Sequence, residues 1–343
     1  MNERTINVGV IGLGFMGATH VAAYQAAAEA GFACRLVAVA DPKPDRRAGR
    51  LGDVRGNLAS GSDAAAFDSA QVRGYASAEE LLEDPSVDLV SICTRTDTHI
   101  ELAERAMRAG KHVLVEKPVA LTAAPVRRLA DVAAACGVVC MPAMCMRFWP
   151  AWSWLKDAVD RRRFGAVRSA RFTRLGCRPA WSESYQDDNL TGGALVDLHI
   201  HDTDFITWLF GEPAHVCSTG DIQHITTLYG YPGVSHVAAE GGWDQHEGFS
   251  FTMRYLVNFE RATLDFDISR QDQLLLCRDG QATPIEVEPL TGYDGEIRHL
   301  IECLTKDRRP LVNLRDAAVT QAVLEAERRS LECGEAVRMA DGA

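Results

Sequence analysis

Apolar and polar positions in the first part of the chain alternate in blocks. Val8-Gly9-Val10-Ile11 is a short apolar run ending in glycines, the pattern of a parallel strand buried on both faces. The Ala-rich residues 16–30 favour helix, and Gly31 stops it. Residues 36–40 repeat the strand pattern and are halted by Asp41-Pro42. Ser77 opens a predicted helix whose Glu79 and Glu80 suit its positive N-terminal end. Strands are then predicted at 87–93, 112–115 and 138–144, with helices at 99–109 and 122–135 between them. Such alternation requires right-handed crossovers and a parallel sheet covered on both faces.

After Met144 the period changes. Arg147-Phe148-Trp149-Pro150 marks a crossover, followed by a predicted helix at 152–162 that Gly165 ends. Period-two alternation predicts strands at 167–175, 235–243, 249–259 and 262–268. In the third, Phe249, Phe251, Met253, Tyr255 and Val257 fall on one face. Further helices are predicted at 192–211, 296–305 and 315–334. The expected fold is an α/β N-terminal Rossmann domain, a doubly wound parallel sheet over residues 1–146. An α+β C-terminal domain follows over 147–343, with a large, mostly antiparallel open sheet for substrate binding and oligomerisation. Its open face predicts a homodimer or homotetramer.

Bulk composition agrees with two globular domains. The chain has 343 residues, 47% of them hydrophobic and 24% charged. A net charge of −11 and a pI near 5.4 repel nucleic-acid phosphates and anionic lipid, so neither is an expected partner. Ten cysteines show no CxxC spacing; the closest set, Cys136, Cys140 and Cys145, reads as buried free thiols, not as a metal or disulfide set. Unpaired thiols point to a reducing compartment. Met1 to Asn7 run straight into a strand without signal-peptide character, and no apolar run approaches the ~18 residues of a membrane helix. A cytoplasmic protein is expected.

Gly12-Leu13-Gly14-Phe15-Met16-Gly17 follows the first strand and opens the first helix. The GxGxxG pattern alone is weak, but this is the context that gives it meaning. Gly12 permits a tight turn, Gly14 lets a pyrophosphate approach the backbone, and Gly17 allows close helix–strand packing. Amides of the first helical turn, from Phe15 and Met16 onward, face the anion. Asp41 ends the second strand 24 residues after Gly17, where a carboxylate binds the ribose 2′-hydroxyl and repels a 2′-phosphate. NAD is therefore preferred to NADP, although Lys43, Arg46 and Arg47 are placed to bind such a phosphate.

The predicted helix at 192–211 carries Asp197, His199, His201, Asp202 and Asp204 among buried-type apolar residues. On one continuous helix Asp197, His201 and Asp204 share a face, and a His beside carboxylates can act as a general base. A core helix with a satisfied His–Asp pair is the plain alternative. So many ionisable groups are costly to bury without purpose, which favours a site. A zinc site on His199, His201 and the three aspartates is the other candidate. Residues two apart on a helix point in different directions, so no metal is assigned.

Together these motifs resemble the glucose–fructose oxidoreductase / inositol dehydrogenase family (Gfo/Idh/MocA) over essentially the whole chain. The resemblance is carried by Thr94-Arg95-Thr96-Asp97-Thr98-His99 and the more specific Ala109-to-Pro118 segment ending Glu-Lys-Pro. Asp197, His201 and Asp204 match the D-x-G-x-H-x-x-D helix; Arg298-His299-Leu300-Ile301 and the Ser330…Gly334…Val337 pattern add to it. The resemblance implies that Lys117, Asp197 and His201 form the catalytic group. It also implies that Thr94, Thr96, His99, Glu116, Lys117 and Arg147 lie along the cofactor. Two departures stand out: His199 replaces the usual Gly, and Met144-Cys145-Met146 replaces an Asn-rich form.

The expected function is an NAD(P)-dependent oxidoreductase moving hydride between nicotinamide and a secondary alcohol of a sugar, inositol or related polyol. Its alternatives are a non-catalytic NAD(P)-binding redox regulator and a metal-dependent hydrolase or lyase. Substrate choice is expected to come from the 177–189 loop, with Arg178, Trp181, Tyr185, Asp187 and Asp188.

Overall fold

The computed structural model describes residues 4–52, 54 and 66–339; Met1, the start of the expected lead-in, lies outside them. Two compact units are present. One runs to Cys145 and includes Thr291–Ala318; the other holds Met146–Leu290 and the chain from Val319 on. A single cut at 146/147 would leave 291–318 in the second domain, whereas these residues return to the first unit.

The first unit is built from β1 (Ile6–Ile11), α1 (Phe15–Glu29), β2 (Cys34–Ala40), α2 (Pro44–Arg47), β3 (Arg73–Tyr75), α3 (Ala78–Leu82) and β4 (Leu89–Ile92). It continues through α4 (Thr96–Arg108), β5 (His112–Glu116), α5 (Ala123–Cys136) and β6 (Cys140–Ala143). All six strands are parallel, in the order β3-β2-β1-β4-β5-β6. The order reverses between β1 and β4, so the crevice beyond their carboxyl ends is the place for a ligand in such a sheet. β3 was not expected: its three residues make no apolar run. Helix α4 starts at Thr96 rather than at His99, which puts His99 in its first turn.

The second unit begins with α6 (Pro150–Asp160), β7 (Val167–Leu175), α7 (Asp188–Thr191), α8 (Gly193–Asp197) and α9 (Ile200–Phe210). Then come β8 (His215–Gly220), β9 (His224–Tyr231), β10 (Val234–Gly242), β11 (Thr252–Phe259), β12 (Thr263–Asp267), β13 (Leu274–Arg278) and β14 (Gln281–Pro284). Helix α10 (Gly292–Thr305) belongs to the first unit and packs on α1; α11 (Leu314–Cys333) and β15 (Val337–Arg338) end the described chain. Nine strands form one sheet, ordered β14-β13-β12-β11-β7-β10-β9-β8-β15, parallel only between β10 and β7. The four strands expected from periodicity are β7, β10, β11 and β12. They occupy the centre and one flank, while β8, β9, β13, β14 and β15 carry weaker alternation.

Trp152 on α6 is fully buried and anchors this sheet. Its ring lies 4.7 Å from Phe205 and 5.2 Å from Tyr255, both edge-on, and 5.7 Å from Phe172. Each such pair contributes about 0.5–1.5 kcal/mol beyond its buried area. The cluster ties α6 and α9 to β7 and β11. On β11, Met253, Tyr255 and Val257 are buried as the pattern required, but Phe249 lies before the strand and is exposed.

Candidate active site

The three glycines after β1 meet different surroundings. Gly12 has φ +85°, and a Cβ there would lie 2.8 Å from the Cys93 carbonyl oxygen. At Gly17 a Cβ would sit 1.8 Å from the Gly12 oxygen, so only glycine lets α1 start this close to the turn. Gly14 differs: nothing lies within 4 Å of its missing Cβ, and the space beside it is open. Gly14 is also the N-cap of α1, and no side chain caps the helix, whose first turn contains Phe15, Met16 and Gly17. An anion is what such an end accepts.

Asp41, at the end of β2, is buried. Its Oδ2 accepts the Leu13 N–H at 2.8 Å and its Oδ1 the Lys43 N–H at 2.9 Å. The carboxylate therefore braces the glycine turn directly, a role its spacing did not reveal. Two of roughly four lone-pair sites on a carboxylate are engaged by these amides. Arg46 Nη1 stands 3.8 Å from Oδ2. Open space at Gly14, an uncapped helix end and this carboxylate fit a dinucleotide.

Beyond β4, Thr94 Oγ1 meets Thr98 Oγ1 at 2.6 Å, and Thr96 is the first residue of α4. His99 is buried, with Nδ1 2.9 Å from the Pro118 oxygen and Nε2 3.1 Å from the Thr94 oxygen. Burial pushes its imidazole below the usual histidine range, against the pull of these two carbonyls. His99 thus ties the turn after β4 to the turn after β5. Glu116, the last residue of β5, is buried; its Oε1 accepts from His20 Nε2 at 2.9 Å and its Oε2 from the Lys117 N–H at 3.1 Å. Lys117 follows, half-buried. His20 was missed, although a histidine one turn after Gly17 was visible as a signal.

In the second unit the expected single helix is broken. After α8 ends at Asp197, the His199 N–H reaches back to the Ala194 oxygen at 2.8 Å and the His201 N–H to the Leu198 oxygen at 3.3 Å. The continuous face of Asp197, His201 and Asp204 is therefore not formed, and the buried Asp204, Asp202 and His199 each meet groups elsewhere in the chain instead. Asp204 is held by Arg147, and Asp202 by Arg174, with Nε–Oδ2 2.9 Å in each case. His199 is fully buried, 3.2 Å from the Tyr229 hydroxyl and 3.3 Å from Glu327 Oε2. Its ring lies where a Cβ on Gly241 would come within 2.6 Å of Nδ1. Those are structural assignments. Asp197 and His201 alone of the five stay half-buried. Arg147, expected along the cofactor, has its guanidinium committed to Asp204.

The 177–189 loop is organised by Arg178, whose Nη2 donates to Asp188 Oδ1 at 2.6 Å and whose guanidinium lies 5.6 Å from the Trp243 ring centre. Gln223 donates to Asp188 Oδ2 at 2.7 Å and accepts from the Trp243 indole. Tyr185 meets Trp243 edge-on. Gln223 and Trp243 were not anticipated, because they lie just before β9 and just after β10 and only the fold brings them to the loop.

These features define a dinucleotide-binding oxidoreductase: a six-stranded Rossmann sheet with its glycine turn, and a second unit built on a mostly antiparallel sheet. Residues 6–144 match a family model described as "Oxidoreductase family, NAD-binding Rossmann fold" (GFO_IDH_MocA), and residues 152–270 match the GFO/IDH/MocA C-terminal domain. The chain belongs to the Gfo/Idh/MocA family. It is 27% identical to trans-1,2-dihydrobenzene-1,2-diol dehydrogenase of Mus musculus, over 76% of this chain and 82% of that one. It is 31% identical to myo-inositol 2-dehydrogenase of Thermotoga maritima, over 60% of this chain and 55% of that one. Levoglucosan dehydrogenase in complex with NADH and levoglucosan has the same fold, with a TM-score of 0.82, 20% identity and coverage of 98% and 99%.

Proposed function

We propose that this NAD(P)-dependent dehydrogenase of CH–OH groups takes hydride from a secondary alcohol of a sugar, inositol or related polyol, and prefers NAD. The nicotinamide supplies the hydride acceptor when bound. His201 Nε2 takes the hydroxyl proton, Lys117 Nζ hydrogen-bonds the same oxygen and stabilises its developing negative charge, and Asp197 orients the pair. A positioned base contributes about 10²–10⁴-fold, or roughly 3–5 kcal/mol of barrier. The observation that carries the reading is the open Gly14 cradle in a chain of this family, with Asp41 beside the turn. Polyols are favoured because relatives are named for inositol and a cyclic diol.

A panel of inositols, sugars and cyclic diols with NAD, read by absorbance of the reduced cofactor, tests it. Turnover of at least one is expected, with Lys117→Met slower by about a hundredfold or more while NAD still binds. An active Lys117→Met enzyme ends the assignment. Tight NAD binding without turnover of any polyol favours the redox regulator. We further propose self-association through the open sheet face, where Leu228 and Leu256 are exposed. No helix among the described residues is long and apolar enough to cross a membrane, and the free cysteines fit a reducing cytoplasm.

A further inference from the structure

Glu296 on α10 has no place in the chemistry described so far. It is fully buried, and neither carboxylate oxygen has a hydrogen-bond partner among the described residues. It faces Glu116 and His20: one oxygen or nitrogen from each of the three lies within 4.8 Å of the others. His20 Nε2 is 2.9 Å from Glu116 Oε1 and 3.9 Å from Glu296 Oε1. An ionised carboxylate left unpartnered in such a place costs several kcal/mol, so a proton or a cation must accompany it. The other titratable groups facing it are Tyr24 on α1 and Cys93 after β4, acids that burial itself holds in the neutral form.

A divalent metal is one candidate occupant, because a His and two carboxylates are common ligands. The His20–Glu116 bond argues against it. At 2.9 Å from the Glu116 carboxylate, an acceptor, Nε2 is placed to donate, and in that tautomer it has no lone pair for a metal. His20 Nδ1 is meanwhile 3.2 Å from Ser91 Oγ, which the Tyr24 hydroxyl reaches at 2.9 Å. That leaves a proton.

We propose that Glu296 is a positioning residue for the reaction: as a neutral carboxylic acid it donates to Glu116, the carboxylate that holds the Lys117 backbone. Three hydrogens then converge on Glu116, from His20 Nε2, the Lys117 N–H and the Glu296 hydroxyl. Burial first, and then the charge on Glu116, hold the Glu296 carboxyl well above the usual range, in agreement with this geometry. Ionisation of Glu296 sets two carboxylates against each other and loosens the Glu-Lys-Pro turn. The proposal rests on Lys117 as a catalytic residue.

Two variants test it. Glu296→Gln keeps a buried donor of the same shape and should retain kcat within about threefold, whereas Glu296→Leu should lower kcat by about 10- to 100-fold with little change in KM for NAD. Wild-type kcat should fall on the alkaline side as Glu296 ionises, and Glu296→Gln should lack that fall. Two readouts do not depend on turnover. Infrared spectra of the apoprotein should show the C=O band of a neutral carboxylic acid, absent from Glu296→Gln. The folded-state value lies above the ordinary 4.5. The wild type's contribution from this group is therefore full below that pH and is lost as pH rises through the folded value. Glu296→Gln should accordingly gain in Tm over wild type as pH increases. A missing band with no Tm gap overturns the proposal, as does stoichiometric metal in the wild type that Glu296→Gln loses. Full activity of both variants overturns the positioning role. If wild type turns over no polyol, the Lys117 reading falls alone, and the band and Tm gap still decide the proton.

Discussion

The guanidinium of Arg147 lies against the carboxylate of Asp204, with Nε 2.9 Å from Oδ2 and Nη2 2.7 Å from Oδ1, both side chains buried. Thr320 Oγ1 adds a third donor to Asp204 at 3.1 Å. The residue at 204 that helical spacing grouped with His201 is thus a tie between the segment before α6 and helix α9. Asp204→Leu removes the carboxylate that the buried Arg147 guanidinium grips with two nitrogens and should destabilise the second unit by about 3–5 kcal/mol. Urea unfolding measures this. Arg147→Met with Asp204→Leu should recover most of the loss, and a double variant no better than the single one would contradict the pairing argument.

The glycine turn predicts opposite outcomes for two neighbours. Gly14 has φ −76° and open space around it, so Gly14→Val should keep its Tm but bind NADH at least about tenfold more weakly, because its side chain takes the anion's place. Gly17→Ala forces a Cβ against the Gly12 oxygen and should cost about 1–3 kcal/mol in stability. Fluorescence titration with NADH and thermal melts separate the two effects.

Asp41 gives a cofactor prediction. Its charge stands against a 2′-phosphate, while Arg46 is 3.8 Å away. Asp41→Ser should raise the ratio of kcat/KM for NADP to that for NAD by about tenfold or more. An unchanged ratio would show that the 2′ position is read elsewhere.

His224 carries a pH dependence. Burial lowers its pKa, but hydrogen bonds to Asp244 at 2.8 Å and Glu240 at 3.2 Å outweigh it, and the net shift is upward. Its contribution to stability is therefore full below the unfolded value near 6.5 and is lost as pH rises through the higher folded value. His224→Asn should flatten the Tm decline from about pH 6.5 upward. Parallel melting curves for the two proteins across that window would refute it.

Legibility differed between the two units for a definite reason. A parallel sheet buried on both faces writes each strand as an apolar run, and β1, β2, β4, β5 and β6 were all recognisable from such runs. The nine-stranded sheet is different: its strands β8, β13, β14 and β15 are short or half-polar and left little trace. The 192–211 segment misled in another way: its apolar spacing is helical throughout, but the chain turns at Leu198–His199, where the buried His199 ring meets Tyr229 and Glu327 from elsewhere in the chain.

Local sequence by itself determined the glycine turn, the acid after β2 and the Glu-Lys-Pro segment after β5, because each depends on backbone geometry or chemistry within a few residues. Only the tertiary structure decided how the ionisable groups are paired. Arg147 with Asp204, Arg174 with Asp202, His199 with Glu327, and the Glu116–His20–Glu296 cluster all join residues distant in the chain. A charge in a protein interior is settled by whatever partner the fold brings to it, and spacing along the chain carries no record of that partner.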